Sequence, residues 1–138
     1  MTDFPALHAD YVQSTSLATI DYNCIAWAAG DVNRWWWPTP GLYYWPRSAP
    51  MEETLEAFIA AFTLLGFAES EGGDLESGIE KVALYASGGG TPTHMARQLP
   101  NGRWTSKLGS NVDIEHATVG QLEGPLYGTV ARYLKRRV

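Results

Sequence analysis

The chain has one cysteine, three histidines and no apolar run approaching the ~20 residues that span a bilayer. A single cysteine cannot close a disulfide within the chain, so nothing in the composition points to an oxidising compartment. Cations are in the minority: ten Lys and Arg against fifteen Asp and Glu leave a net charge of -5. Nucleic-acid-binding domains carry a clear basic excess, and this chain does not. Four of the ten cations, Arg132, Lys135, Arg136 and Arg137, crowd at the C-terminus and read as the solvated end of a last helix. Met1-Thr2-Asp3-Phe4-Pro5 has neither the basic region nor the apolar stretch of a signal peptide, so a cytoplasmic location is expected.

Aromatic side chains are plentiful. Eight of the thirteen Trp and Tyr residues fall between positions 22 and 45. With 138 residues, 45% hydrophobic and 18% charged, the chain reads as one globular domain over residues 1–138.

Local signals predict helices first and strands later. Residues Tyr22 to Ala29 suit a helix, with Asp21 or Asn23 as N-cap and Gly30 as stop. The stretch from Asp31 to Pro46 contains Trp35-Trp36-Trp37-Pro38 and Tyr43-Tyr44-Trp45-Pro46. Its prolines and glycine forbid a long helix or central strand, which leaves an aromatic loop. A second helix is predicted from Met51 to Leu65, because Met51, Leu55, Phe58, Ile59, Phe62 and Leu65 form one apolar stripe. Glu69 to Ser77 reads as an acidic connection. Strands are then predicted over 80–86, 93–99 and 103–108, with Asn101-Gly102 marking a hairpin between the last two. Residues 112–116 are ambiguous, and Tyr127 to Arg137 suits a closing helix. The expected class is α+β: N-terminal helices packed on a small antiparallel β-meander.

Chemistry centres on Cys24, which sits where a polar turn runs into an apolar helix. A helix head favours thiolate over thiol, and a sulfur nucleophile needs a base within hydrogen-bond reach. His94 begins a predicted strand after the glycine-rich turn, whereas His8 has no supporting context. Cysteine followed by a strand histidine about seventy residues later fits the plan of papain-like thiol hydrolases. Three adjacent tryptophans cannot all face one way, so at least one is expected at a surface or contact.

The blocks Tyr22-Asn23-Cys24-Ile25-Ala26-Trp27-Ala28-Ala29-Gly30-Asp31, Trp35-Trp36-Trp37-Pro38, Pro92-Thr93-His94-Met95-Ala96-Arg97-Gln98-Leu99 and Gly102-Arg103-Trp104-Thr105-Ser106-Lys107-Leu108-Gly109 resemble a family of small uncharacterised bacterial proteins. More distantly, the Asn-Cys helix head with a strand histidine is similar to the NlpC/P60-like and lecithin retinol acyltransferase-like branch of papain-fold proteins. That resemblance implies a papain-like core in which Cys24 attacks a carbonyl and His94 acts as base. His116 or Ser106 would orient His94, with Asp113 a further option. If the hairpin turn has two residues, Lys107 falls on the His94 face; if three, Ser106 does. Asn23 and the helix-head N–H groups would hold the oxyanion. Trp35, Trp36, Trp37, Tyr44 and Trp45 would wall the substrate cleft.

The expected function is hydrolysis or transfer at a peptide, amide or acyl bond, with no cofactor. The rival is a non-catalytic interaction or immunity-type module that contacts a protein partner through the tryptophan loop. Cys24, His94 and His116 could hold an open zinc site, but the close ligand pairs that announce one are missing. Gly88-Gly89-Gly90 lacks a following Lys-Ser/Thr and reads as a turn rather than a phosphate loop. Neither nucleic acid nor membrane is an expected partner, and oligomeric state is not legible.

Overall fold

The computed structural model describes residues 12–14, 22–107, 113–124 and 127–137. His8, Asp21 and Leu108 lie outside them. Within them, seven strands are present: β1 (Val12–Ser14), β2 (Ala68–Ser70), β3 (Ile79–Ala86), β4 (Pro92–Gln98), β5 (Trp104–Lys107), β6 (Asp113–His116) and β7 (Thr129–Arg137). They form one open antiparallel sheet in the spatial order β1-β6-β5-β4-β3-β7-β2. Strands β3 to β6 follow each other as a meander. The class is therefore α+β, as expected.

The first helix, α1 (Cys24–Ala29), ends where the sequence predicts but starts two residues after Tyr22, on the second of the two nominated caps. Asn23 is the N-cap, its Oδ1 accepting from Ala26 N at 3.1 Å, and Gly30 closes the helix in the left-handed region at φ 85°. Six residues make too short a helix to persist alone, so α1 depends on packing across β4 and β5. The second helix, α2 (Leu55–Thr63), starts four residues later than the apolar stripe predicts. Thr54 caps it, its Oγ1 accepting from Ala57 N, and Met51 lies exposed ahead of it. A stripe counts apolar positions; the cap decides where backbone bonding starts.

The predicted closing helix is instead strand β7. It pairs with β3 from Ile79↔Arg137 to Ala86↔Thr129 and also with β2. Its basic residues make cross-strand ion pairs, Arg136 with Glu80 at 2.8 Å and Arg132 with Glu69 at 3.5 Å, rather than completing a helix end. The apolar neighbours β3 offers outweigh the mild helix propensity of Ala131, Leu134 and Lys135. Strand β1 lies ahead of every predicted element, and β2 overlaps the segment read as an acidic connection. Three residues carry too little alternation to announce a strand.

Pro100-Asn101-Gly102 forms a three-residue turn, with Leu99 N donating to Arg103 O at 2.7 Å. Arg97 then pairs with Thr105 and Gln98 with Trp104, and the same register sets Ser106 level with Ala96. Of the two registers open to the sequence, the longer turn is the one adopted.

Alternation along the strands gives the sheet two different faces. Val82, Leu84, Met95 and Leu134 pack against α1, α2 and the aromatic loop. Ala83, Tyr85, Ala96, Trp104 and Ile114 pack on the reverse face, covered by Leu122 of a short 3-10 turn (Val119–Leu122) and by Tyr127. Among the described residues no helix is long and apolar enough to cross a membrane.

Candidate functional site

Asn23 ties the aromatic loop to the head of α1. Its Nδ2 donates to Trp36 O at 2.9 Å, and its Oδ1 accepts from Trp36 N as well as from Ala26 N. This buried amide is a clamp on the loop rather than a side chain poised over a substrate. The clamp fixes how the three tryptophans divide. Trp36 is driven into the core, its Nε1 donating to Asp31 and its ring set against Tyr44 and Phe62. Trp35 and Trp37, on either side of it, turn to a shared recess. Trp35 stacks on Tyr43 with centroids 5.6 Å apart, and Trp37 meets Phe58 edge-on.

The recess has a volume of about 350 Å³ and is lined by Asn23, Cys24, Trp35, Trp37, Tyr43, Thr93 and Tyr127. Trp36, Tyr44 and Trp45, expected in its wall, do not line it. Trp45 packs on Phe58 and donates its Nε1 proton to Pro50 O. Tyr43, Thr93 and Tyr127 do line it and escape sequence reasoning. Tyr43 lies in the expected loop, but Thr93 and Tyr127 arrive only through sheet packing. A larger hollow of about 460 Å³ lies beside Leu75, Ile79 and Leu99. Its carboxylates, Glu76 and Glu80, are already paired with Lys81 and Arg136, and no aromatic ring of the described residues lines it.

Cys24 occupies the first turn of α1 and is almost wholly buried. Burial pushes its thiol up to about 11; the backbone around Met95 and Ile25, and the charge of Lys107, pull the other way without overcoming it. At neutral pH the sulfur is a protonated thiol, not a resting thiolate.

The predicted Cys24–His94 pair is not assembled. Met95 packs with Cys24 on the helix face and Thr93 lines the recess, so His94, between them on β4, turns to the reverse face. There it stands opposite Tyr85, meets that ring edge-on at 5.1 Å, and stacks on Tyr127 at 4.1 Å with planes 7° apart. Neither of its ring nitrogens has a hydrogen-bond partner among the described residues. Burial holds its pKa well below the ordinary value, and the nearby His116 adds to that.

Ser106 and His116 share this face but bond to each other rather than orienting His94. Ser106 Oγ lies 2.8 Å from His116 Nε2, and His116 Nδ1 lies 2.9 Å from Thr118 O. A carbonyl only accepts, so Nδ1 carries the proton and Nε2 accepts from the Ser106 hydroxyl. Both residues are fully buried, and burial lowers the His116 pKa to about 4. The side chain of Asp113, the other option, lies outside the described atoms. Among the described residues no three His, Cys, Asp or Glu side chains converge on a metal position.

Fold and site together define an α+β protein with an aromatic recess at a helix head and a neutral thiol in its wall. The chain belongs to the family described as Domain of unknown function (DUF7689), whose model matches residues 13–135. No curated protein and no solved structure matches it.

Proposed function

We propose that this protein is a non-catalytic binding module whose aromatic recess takes an apolar or weakly polar group from a ligand or protein partner. One observation carries the reading. Three rings, from Trp35, Trp37 and Tyr43, gather at one recess beside a thiol that, among the described residues, has no histidine on its side of the sheet. Pockets of this kind, mostly apolar with a few polar groups, are the usual form of a small-ligand site. Aromatic side chains also bury large area at little entropic cost, which suits a recognition surface.

A papain-like cysteine hydrolase or amidase of the NlpC/P60-like kind is the second reading. It draws on Cys24, which lines the recess from the head of a helix packed on an antiparallel meander. Such chemistry needs a general base beside the sulfur and an ionised thiol, and burial of Cys24 opposes the second.

The two readings separate experimentally. Native protein is alkylated with iodoacetamide at pH 6, beside a urea-unfolded control, while a neutral fragment set is screened by ligand-observed NMR against wild type and Trp35→Ala. The binding reading expects slower alkylation than the control, and fragments that lose contact in the variant. Alkylation faster than the unfolded control, with amide or thioester hydrolysis lost in Cys24→Ala, overturns it in favour of the enzyme.

A further inference from the structure

We infer that the recess at the head of α1 is a site for an alkylated ammonium group, of the kind carried by choline or a trimethylated lysine. This rests on the binding reading above and names the chemistry of the occupant. The argument begins with what faces the space. Trp35, Trp37 and Tyr43 line it together with Tyr127, whose ring is stacked on His94, and an aromatic face carries partial negative charge that attracts a cation within about 6 Å of its centroid. Tryptophan is the strongest of these platforms, and two are present.

The polar atoms of the wall narrow the choice further. The Asn23 amide donates to Trp36 O, and the Thr93 hydroxyl donates to Tyr127 O. That leaves the Thr93 hydroxyl oxygen as an acceptor, and among the described residues no Lys, Arg or His side chain lines the space. A phosphate or carboxylate would therefore lose its water without charged donors to replace it. A phosphocholine lipid headgroup fails on its phosphate for the same reason. Among the described residues no Asp or Glu lines the recess either, so a compact primary ammonium, which holds its water tightly, would go uncompensated there. An alkylated ammonium is weakly hydrated, donates no hydrogen bonds, and needs only rings. It is a charged group that the described wall suits.

The surroundings are consistent with a cation. Arg34 stands beside the loop, but it is neutralised by Asp31 at 2.8 Å and already lies 3.5 Å above the Tyr44 ring. Arg97 lies over Trp27 at 4.4 Å, so rings around α1 hold cations elsewhere in the same fold. Lys107, whose charge reaches Cys24, is set over Tyr22 instead of lining the recess. The net charge of -5 attracts cations at long range.

Choline and its neutral carbon isostere, 3,3-dimethyl-1-butanol, have the same shape and differ in charge, so they form the deciding pair. Each is titrated against the full chain, with indole N–H shifts and calorimetry as readouts. Choline is expected to bind roughly threefold to thirtyfold more tightly than the isostere, the range that cation–π attraction supplies. Trp35→Leu, which keeps apolar bulk but no aromatic face, is expected to weaken choline by a larger factor than the isostere and so to narrow that preference at least about twofold. Tyr43→Leu, at a half-exposed position that loses little packing, gives a second reading if Trp35→Leu does not fold. A trimethyl-lysine peptide and its unmodified counterpart then separate a protein-borne group from a free one; tighter binding than choline assigns the peptide source. Equal binding of choline and the isostere overturns the ammonium inference and leaves the binding reading standing. Failure of both ligands, together with the neutral fragment set, overturns the two together.

Discussion

Acid should weaken this fold through His116 in a way that can be measured against a single variant. The ring is fully buried, gives its Nδ1 proton to Thr118 O and accepts from Ser106 at Nε2, an arrangement built for the neutral form. Burial, reinforced by Arg103, lowers its pKa from an ordinary 6.5 to about 4, against the opposing pull of the Thr118 carbonyl and Glu115. The unfolded chain therefore takes up this proton before the folded one does. The stability tied to the neutral ring is complete above about pH 6.5 and is lost progressively as the pH falls toward and through 4. At ~1.4 kcal/mol per pH unit, about 2.5 kcal/mol should be gone by pH 4.5. His94 titrates in the same direction and adds to the loss. Urea unfolding of wild type and His116→Gln at pH 7.5, 6.0, 5.25 and 4.5 isolates the effect, because carboxylates and His94 contribute to both curves. The variant is less stable at pH 7.5 but should lose about 2.5 kcal/mol less on going to pH 4.5. Parallel profiles would refute the reasoning and mean that the buried ring does not stay neutral in the fold.

Three further outcomes follow from single positions. A Cβ on Gly128, at φ +76°, would sit 2.0 Å from Ala86 O, so Gly128→Ala should cost about 3 kcal/mol or more; Gly90→Ala, at φ +84° with nothing within 4 Å, should cost only ~1 kcal/mol in urea unfolding. Asn23→Ala removes the cap of α1 and strands the Trp36 peptide groups, for an expected loss of about 2–3 kcal/mol. Asn23→Ser, which keeps the cap alone, should recover about 1 kcal/mol by the same measure. With the Cys24 thiol buried and pushed up to about 11, a disulfide reagent at pH 7.5 should modify native protein at least about tenfold more slowly than unfolded protein. Equal rates would mean that the sulfur is open to solvent.

Short-range chemistry made much of the fold legible. Asn23 and Gly30 bracket α1 because a cap and a left-handed stop act on their own turn. The Asn-Gly pair marks the β4–β5 hairpin for the same reason. Strand β7 was hidden because its residues are compatible with either backbone, and the choice was made by β3 beside it. The wall of the recess was half legible. Trp35, Trp37 and Tyr43 lie in a loop that prolines enforce, whereas Thr93 and Tyr127 are brought to it by the sheet.

By itself, the sequence determined an α+β domain, a capped helix opening on the single cysteine, and an aromatic loop next to it. It also brought Cys24 and His94 into the right order along the chain for a thiol–imidazole pair. Only the tertiary structure decided that they do not meet. Side chains alternate across a strand, so a one-residue offset on β4 hands Thr93 and Met95 to the helix side and sends His94 behind the sheet. Spacing along a chain carries no record of that choice, because it is set by which face the whole strand buries.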